Sequence, residues 1–200
     1  MKVVLASGNA GKQREFAALL APLGYEVVTQ TSLGLVSAEE TGATFEDNAL
    51  LKARHAARLS GLPALADDSG IEVDALGGRP GVYSARYAGV GASDAANNAL
   101  LLRELSGVPA VRRTARYRCE LAFVRAADDP RPLLAAGAWE GTILTVARGG
   151  GGFGYDPLFL PQGMGLSAAE LPEATKNACS HRARALAALV DLLRALPPLP

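Results

Sequence analysis

Three rhythms of apolar and polar residues follow one another along the chain, and each change of rhythm marks an element. Val3 to Ala6 is an unbroken apolar run closed by Ser7-Gly8-Asn9-Ala10-Gly11, the pattern of a buried strand followed by a tight turn. Phe16, Leu19, Leu20 and Leu23 then recur at helical spacing until Pro22-Leu23-Gly24 stops the helix. Tyr25 to Thr29 predicts a second strand. Thr44 is a good N-cap for a helix running to Ser60, with Asp47 in its first turn and Gly61 and Pro63 ending it. Leu62 to Ala66 predicts a buried strand that ends on Asp67-Asp68-Ser69-Gly70.

Strand, helix, strand, helix, strand argues for an α/β core. The middle of the chain changes character. A glycine-rich loop from Gly77 to Gly91 and a helix near Asp94 to Leu105 lead to Tyr117, Cys119, Leu121 and Phe123, which alternate with polar or small residues. Asp128-Asp129-Pro130 then turns the chain into a run ending near Trp139, so an antiparallel hairpin and a second lobe, roughly residues 105–160, are expected within one domain. Leu186, Leu189, Val190 and Leu193 form a core-facing stripe on a last helix. The end, with Pro197, Pro198 and Pro200, is expected to fray.

Composition narrows the partners. A chain of 200 residues with 49% hydrophobic content buries about 70% of its unfolded surface and needs no disulfide or metal staple. Twenty Lys+Arg balance twenty Asp+Glu, so no global field draws the protein onto nucleic acid or a membrane, and a small ligand is favoured over a polymer. Cys119, Cys179, His55 and His181 have no zinc-ligand spacing. No signal-peptide core or membrane-length apolar run is present, which points to the cytoplasm. Arg112, Arg113, Arg116 and Arg118 carry no aromatic platform and read as a solvated or interface face.

Four constellations could carry chemistry. Ser7-Gly8-Asn9-Ala10-Gly11-Lys12 joins a strand to a helix, where outward N–H groups, the helix dipole and the Lys12 charge can cradle a phosphate. An ordinary strand-to-helix turn fits it equally well. It is not a Walker A loop, because Gln13 follows Gly11-Lys12 and Ala6 stands where the first glycine belongs. The second constellation is acidic. Glu39-Glu40, alone, reads best as a solvated turn, whereas Asp67-Asp68 at a buried strand end sits where α/β folds build sites. Mg²⁺ takes one or two such carboxylates and leaves the rest to water and substrate phosphates. Neighbouring strand residues point to opposite faces, so at most one of each pair need face a given site.

The third is Gly149 to Gly152 followed by Phe153-Gly154-Tyr155-Asp156-Pro157. Its G-x-G-x-x-G match lacks the following helix, and it suits either a mobile loop closing an aromatic ring over a flat base or a flexible hairpin with two core aromatics. The fourth is Lys176 with Ser180-His181-Arg182, a set of donors that could hold the edge of a base and that alone reads as a solvated basic turn. Asn48, Lys52 and His55 share a helix face, and Lys52 could reach a phosphate, although a surface lysine is commoner.

Together these segments resemble the inosine triphosphate pyrophosphatase (Ham1-like) family, from Val3 to about Leu193. The resemblance rests on Ser7-Gly8-Asn9-x-x-Lys12, Glu39-Glu40-Thr41-Gly42, Glu46-Asp47-Asn48-Ala49-x-x-Lys52-Ala53, Ala66-Asp67-Asp68-Ser69-Gly70, Gly77-Gly78-x-Pro80-Gly81-x-Tyr83-Ser84-Ala85-Arg86, Gly151-Gly152-Phe153-Gly154-Tyr155-Asp156-Pro157 and Ser180-His181-Arg182. Each motif is modest alone; their order and spacing are specific. The resemblance implies a homodimer with two-lobed α/β subunits, a mixed sheet with flanking helices and a deep central nucleotide-binding cleft. It implies that Ser7, Gly8, Asn9, Ala10, Gly11 and Lys12 hold phosphates, with Lys52 and Ser69 as further substrate contacts. Asp68 would be both proton acceptor and Mg²⁺ ligand, with Glu40 a second acid at the metal. Phe153, Gly154, Tyr155, Asp156, Lys176, His181 and Arg182 would enclose the base.

The activity implied is Mg²⁺-dependent hydrolysis of deaminated purine nucleoside triphosphates (dITP, ITP, XTP) to the monophosphate and pyrophosphate. Selectivity has a physical account: a 6-keto purine offers an acceptor where adenine offers a donor, so a fixed Arg or Lys donor rejects adenine. Ser7 stands where the family often has threonine, and Asn177, Cys179 and Ala183 also depart from its pattern, which touches base preference and not the reaction. Two rivals remain at this point: a pyrophosphatase for another modified or pyrimidine nucleotide, and a non-catalytic nucleotide-binding regulator.

Overall fold

The computed structural model describes residues 1–195, so the proline-rich end read as frayed lies outside the described residues. The strands β1 (Lys2–Leu5), β2 (Glu26–Thr29), β3 (Ala64–Val73), β4 (Thr114–Val124), β5 (Leu133–Ile143) and β6 (Phe159–Pro161) lie in the order β2-β1-β3-β4-β5-β6. The sheet is mixed, since β1 pairs parallel with β2 and β3 while β6 pairs antiparallel with β5. Helices α1 (Ala10–Leu20), α2 (Phe45–Ser60), α3 (Asp94–Glu104), α4 (Glu173–Cys179) and α5 (His181–Arg194) complete an α/β fold. Among the described residues no helix is long and apolar enough to cross a membrane.

The chain forms two compact units. The first comprises Met1–Asp68, Cys119–Gly137 and the described chain from Arg184 onward; the second comprises Ser69–Arg118 and Ala138–Ala183. The boundaries fall inside β3, β4 and β5.

In the first unit the strands are buried on both faces, which is why they read as unbroken apolar runs. Val3, Leu5, Leu65, Leu121 and Phe123 pack with Phe16 and Leu20 of α1 and with Leu186, Leu189, Val190 and Leu193 of α5. Val4, Ala64, Ala66, Ala122 and Val124 take the other face and pack with Ala49, Ala53, Ala56 and Ala57 of α2. The predicted α1 stripe is narrower than its spacing suggested, because Leu19 lies exposed. Alternation in β4 holds only to Arg118; from Cys119 on, both faces are buried. Helix α2 begins as expected, with a capping box in which the Thr44 hydroxyl accepts from the Asp47 N–H and the Asp47 side chain accepts from the Thr44 N–H.

The β4–β5 connection is held by Asp129. Its carboxylate accepts from the Arg125 guanidinium at 2.6 and 2.8 Å and from the backbone N–H groups of Arg125 and Arg131 at 2.9 and 3.0 Å. The Arg125 guanidinium, followed by those N–H groups, holds the carboxyl well below the usual carboxylate range. A depressed folded pKa stabilises the fold above about pH 4, the unfolded value, and that contribution is lost as pH falls through the folded one. Asp129→Ala leaves two backbone donors without an acceptor and is expected to destabilise the protein by about 2 kcal/mol at neutral pH, read as a lower Tm in thermal denaturation.

The second unit has its own core. Ile71, Val73, Leu101, Leu105, Ala115, Trp139, Ile143, Leu158 and Phe159 pack with Tyr117 and Tyr155. One arginine departs from the solvated face read from the sequence. Arg113 lies before β4 and is buried, its guanidinium donating to the carbonyls of Leu105, Val108 and Leu144. A rigid fork of donors can satisfy several loop carbonyls at once, and burial with that many partners is tolerable. Arg116 is partly exposed and pairs with Asp74 and Glu140.

Candidate functional site

Asp67 and Asp68 do not end a strand as the sequence suggested. Strand β3 runs on through them to Val73, because Ile71 and Val73 continue the apolar pattern into the core of the second unit. Alternation along β3 then decides their surroundings. Asp68 follows Ala64 and Ala66 onto the face covered by α2, and Asp67 follows Leu65 onto the face covered by α1.

On the α2 face, four side chains converge. The Lys52 ammonium donates to Glu40 Oε1 at 2.7 Å and to Asp68 Oδ1 at 2.9 Å, and the Asn48 amide donates to Asp68 Oδ2 at 3.2 Å. Asn48 and Lys52 are one helical turn apart on α2, which is what lets both reach one carboxylate. Asn48 is fully buried, and its carbonyl oxygen accepts from the Gly42 N–H at 2.8 Å, tying the loop that carries Glu40 to the helix. A Cβ at Gly42 would stand 2.7 Å from that oxygen, so glycine permits the approach. Burial pushes the Asp68 carboxyl up, Glu40 adds to the rise, and Lys52 and Asn48 oppose it. Burial alone would lower the Lys52 ammonium, but the charges of Asp68 and Glu40 outweigh it and hold it up.

Two sequence readings change here. Lys52 is no surface lysine, and Glu39-Glu40 is not uniformly a solvated turn: Glu39 is exposed, while Glu40 is drawn onto Lys52. Asn48 is a site residue that the sequence reading assigned no role. Its signals were the helix face shared with Lys52 and its place in the Glu46-Asp47-Asn48-Ala49 motif.

On the α1 face, the Lys12 ammonium pairs with both Asp67 oxygens at 2.9 and 3.0 Å, and Asp67 is 3% exposed. The helix N-terminus is not the row of free donors expected from the sequence. Asn9 is the N-cap, and its side-chain oxygen accepts from the N–H groups of Gly11 and Lys12 at 2.8 and 3.1 Å. An asparagine at this position satisfies those donors locally. The Asn9 N–H in turn donates to the Ser7 hydroxyl at 3.1 Å. Gly8 allows a close approach, since a Cβ there would stand 2.9 Å from the Thr31 methyl. Ala10 opens α1.

The second unit gathers the aromatic and basic motifs. Asp156 is 2% exposed, and its carboxylate accepts from the Tyr117 hydroxyl at 3.2 Å, from the Phe153 N–H at 2.8 Å and from the Lys176 ammonium. That ammonium lies 4.6 Å from the centroid of the Phe153 ring, which is 61% exposed. Tyr155 is a core residue whose hydroxyl donates to the Ser84 carbonyl at 2.8 Å. Burial pushes the Tyr117 hydroxyl well up, as does Asp156, so it stays a donor at any working pH. His181, 6% exposed, stacks on Tyr117 at 4.8 Å and 11°, and Arg182 beside it is 9% exposed.

The Lys176–Arg182 cluster is therefore not the solvated turn that composition favoured. The nearest acid in sequence is Glu173, but tertiary folding supplies Asp156. Nor is the glycine-rich loop a free flap. Gly151 donates to the Ala169 carbonyl, while the Gly154 peptide donates to Asp94 and accepts from Asn98. Ser69 is half-buried, at the start of the second unit.

The Glu40–Asp68 pair suits a divalent cation. Two carboxylate oxygens already converge on one ammonium within hydrogen-bond distance. No group of three or more His, Cys, Asp or Glu capable of holding a metal occurs among the described residues, and Mg²⁺ needs only one or two carboxylates when phosphates and water complete its shell.

Known proteins resemble this chain over nearly its whole length. Residues 3–192 match the family model described as the Ham1 family. A dITP/XTP pyrophosphatase of Methylococcus capsulatus is 62% identical over 195 residues, 98% of this chain and 97% of that protein. One from Salmonella typhimurium is 56% identical over 193 residues, covering 96% and 98% of the two chains. Among solved structures, a HAM1 protein from Coxiella burnetii superposes with a TM-score of 0.94 at 44% identity, over 98% of this chain and all of that one. A nucleoside-triphosphatase / dITP/XTP pyrophosphatase from Mycobacterium abscessus gives 0.82 at 45% identity, over 97% of this chain and 100% of that one. A match of this length and identity settles the family: the chain belongs to the Ham1 family.

Proposed function

We propose that this protein hydrolyses deaminated purine nucleoside triphosphates (dITP, ITP and XTP) to the monophosphate and pyrophosphate, removing them from the nucleotide pool. The observation that carries the reading is the Glu40–Lys52–Asp68–Asn48 cluster in a chain whose relatives are named for this activity. In the reaction a water oxygen bonds to the α-phosphorus and the α–β bridging P–O bond breaks. The water's proton passes to Asp68, and the electron pair leaves with pyrophosphate.

Phosphoryl transfer asks little covalent chemistry of the protein, so positioning and charge neutralisation dominate. Glu40 and Asp68 would hold Mg²⁺, which would supply charge neutralisation at the phosphates. Asn48 and Lys52 orient Asp68 with one hydrogen bond to each of its oxygens, leaving the remaining lone pairs for the water. Lys52 also offsets the repulsion between the two carboxylates before substrate arrives. Lys12, aimed by Asp67, and the Ser7 hydroxyl meet the polyphosphate along the Ser7, Gly8, Asn9, Ala10, Gly11 segment. Ser69 is a further contact. Phe153 offers a stacking face to the base, with Gly154, Tyr155 and Asp156 shaping the loop that presents it. Lys176, His181 and Arg182 provide the donors that a 6-keto edge accepts. The same reading carries a homodimer acting in the cytoplasm on a small-molecule substrate, with no part for nucleic acid or a membrane.

A panel of triphosphates assayed with and without Mg²⁺, with pyrophosphate and orthophosphate detected separately, tests the proposal. dITP, ITP and XTP are expected to be cleaved far faster than dATP, dGTP or pyrimidine triphosphates, and only with Mg²⁺. Orthophosphate as the first product would exclude attack at the α-phosphorus.

A further inference from the structure

The base-facing groups of the second unit lie on two stretches of chain, the loop carrying Phe153 and Asp156 and the segment carrying Lys176 and His181. Tyr117, on β4 and earlier in the chain than either, touches both stretches. Its hydroxyl donates to Asp156 Oδ1 at 3.2 Å, and one face of its ring stacks on His181 at 4.8 Å with the planes 11° apart. Phe159 meets the ring edge-on at 4.8 Å and 66°, fixing it from within the core. The other Asp156 oxygen accepts from the Phe153 N–H and from Lys176, whose ammonium sits over the Phe153 ring.

We infer that Tyr117 is a positioning residue for base selection, setting the Lys176 ammonium and the Phe153 ring through Asp156 and the plane of His181 by stacking. The inference rests on the proposed function and names a group outside the base-contacting motifs. A carboxylate buried to this degree is costly to desolvate, and apolar side chains of the same volume commonly give equal or better stability. What the buried carboxylate adds is direction. It holds an ammonium and the backbone of an exposed aromatic in one fixed relation, and its own direction is set by the Tyr117 hydroxyl. Gly152 leaves no slack on the opposite side, because a Cβ there would land on the Asp156 carboxylate and within 3.0 Å of the Lys176 ammonium.

The test compares kcat and KM for dITP and dATP in wild type, Tyr117→Phe, Tyr117→Leu, Gly152→Ala, Lys176→Met and the Tyr117→Phe/Lys176→Met double variant, with the Tm of each. Tyr117→Phe keeps the ring and removes one charge-assisted hydrogen bond. It is expected to raise KM for dITP and lower the dITP:dATP ratio of kcat/KM, each by roughly tenfold, with kcat within about twofold and a Tm lower by a few degrees. Tyr117→Leu also loses the stack and should lower the ratio further. If it does not fold, Gly152→Ala reaches the same pair from the other side and should lower the ratio without touching Tyr117. In the Lys176→Met background, Tyr117→Phe should add little, since the hydroxyl acts through a group already removed. A wild-type preference for dITP that Tyr117→Phe retains, with only Tm falling, overturns the positioning role and leaves the proposed function standing. A wild type with no preference for dITP overturns both together.

Discussion

Asp68→Asn is expected to lose most of its turnover, with kcat falling by roughly 10³-fold or more, the range seen when one preorganised catalytic group is removed. The change is nearly isosteric, and the asparagine oxygen keeps one of the two donors, Lys52 or Asn48, while its amide faces the other, so the fold should survive with some loss of Tm and the loss of activity should lie in kcat. Asp67→Asn, one residue away, should stay within about tenfold of wild type, because the new amide keeps an acceptor for Lys12. The physical difference is the face of the strand. Asp68 shares its side with α2, Lys52 and Glu40, whereas Asp67 shares its side with α1 and Lys12. Steady-state kinetics on dITP with Mg²⁺ distinguishes the two, and comparable losses at both positions would sink the assignment of Asp68 as the proton acceptor.

The second large effect is expected at Arg182. Arg182→Ala should lower the dITP:dATP ratio of kcat/KM by roughly 10²-fold, since a site built to donate to the 6-keto oxygen discriminates through that donor. KM for dITP should rise, and the products should remain the monophosphate and pyrophosphate. Arg182 is 9% exposed, so its methylene stem also packs, and some fall in Tm accompanies the substitution. Packing alone would lower Tm and leave the ratio where it was; that outcome would falsify the base-reading role whatever happened to the absolute rate.

How far the site was legible differs residue by residue. The opposite facing of Asp67 and Asp68 followed from strand periodicity alone, and the structure gives them different helices as partners. Thr44 and Asp47 announced the capping box of α2 because a cap is a local arrangement of residues three apart. Asn48 could not be found in this way. Its role needs the Gly42 loop and β3 brought to the same helix turn, contacts that span 6 and 20 residues. The basic turn at Lys176 to Arg182 misled for the same reason. Its counter-charge, Asp156, and its stacking partner, Tyr117, lie 20 and 64 positions away from the residues they hold.

Periodicity, caps and turn residues act over one to four residues, and at that range the pattern along the chain is enough. It settled the alternation of helix and strand in the first part of the chain, the start of α2, the core stripe of α5, and the motifs by which the family is recognised. Packing at long range carries β3 on through Asp67 and Asp68 to Val73. It also decided that Lys52 bridges two carboxylates and that Lys176 and His181 are set by Asp156 and Tyr117. Charges and hydrogen-bond donors take whatever partner packing brings within about 3 Å, and burial makes that partner obligatory. Packing of this kind joins residues far apart in the chain, so no local pattern could have named those partners.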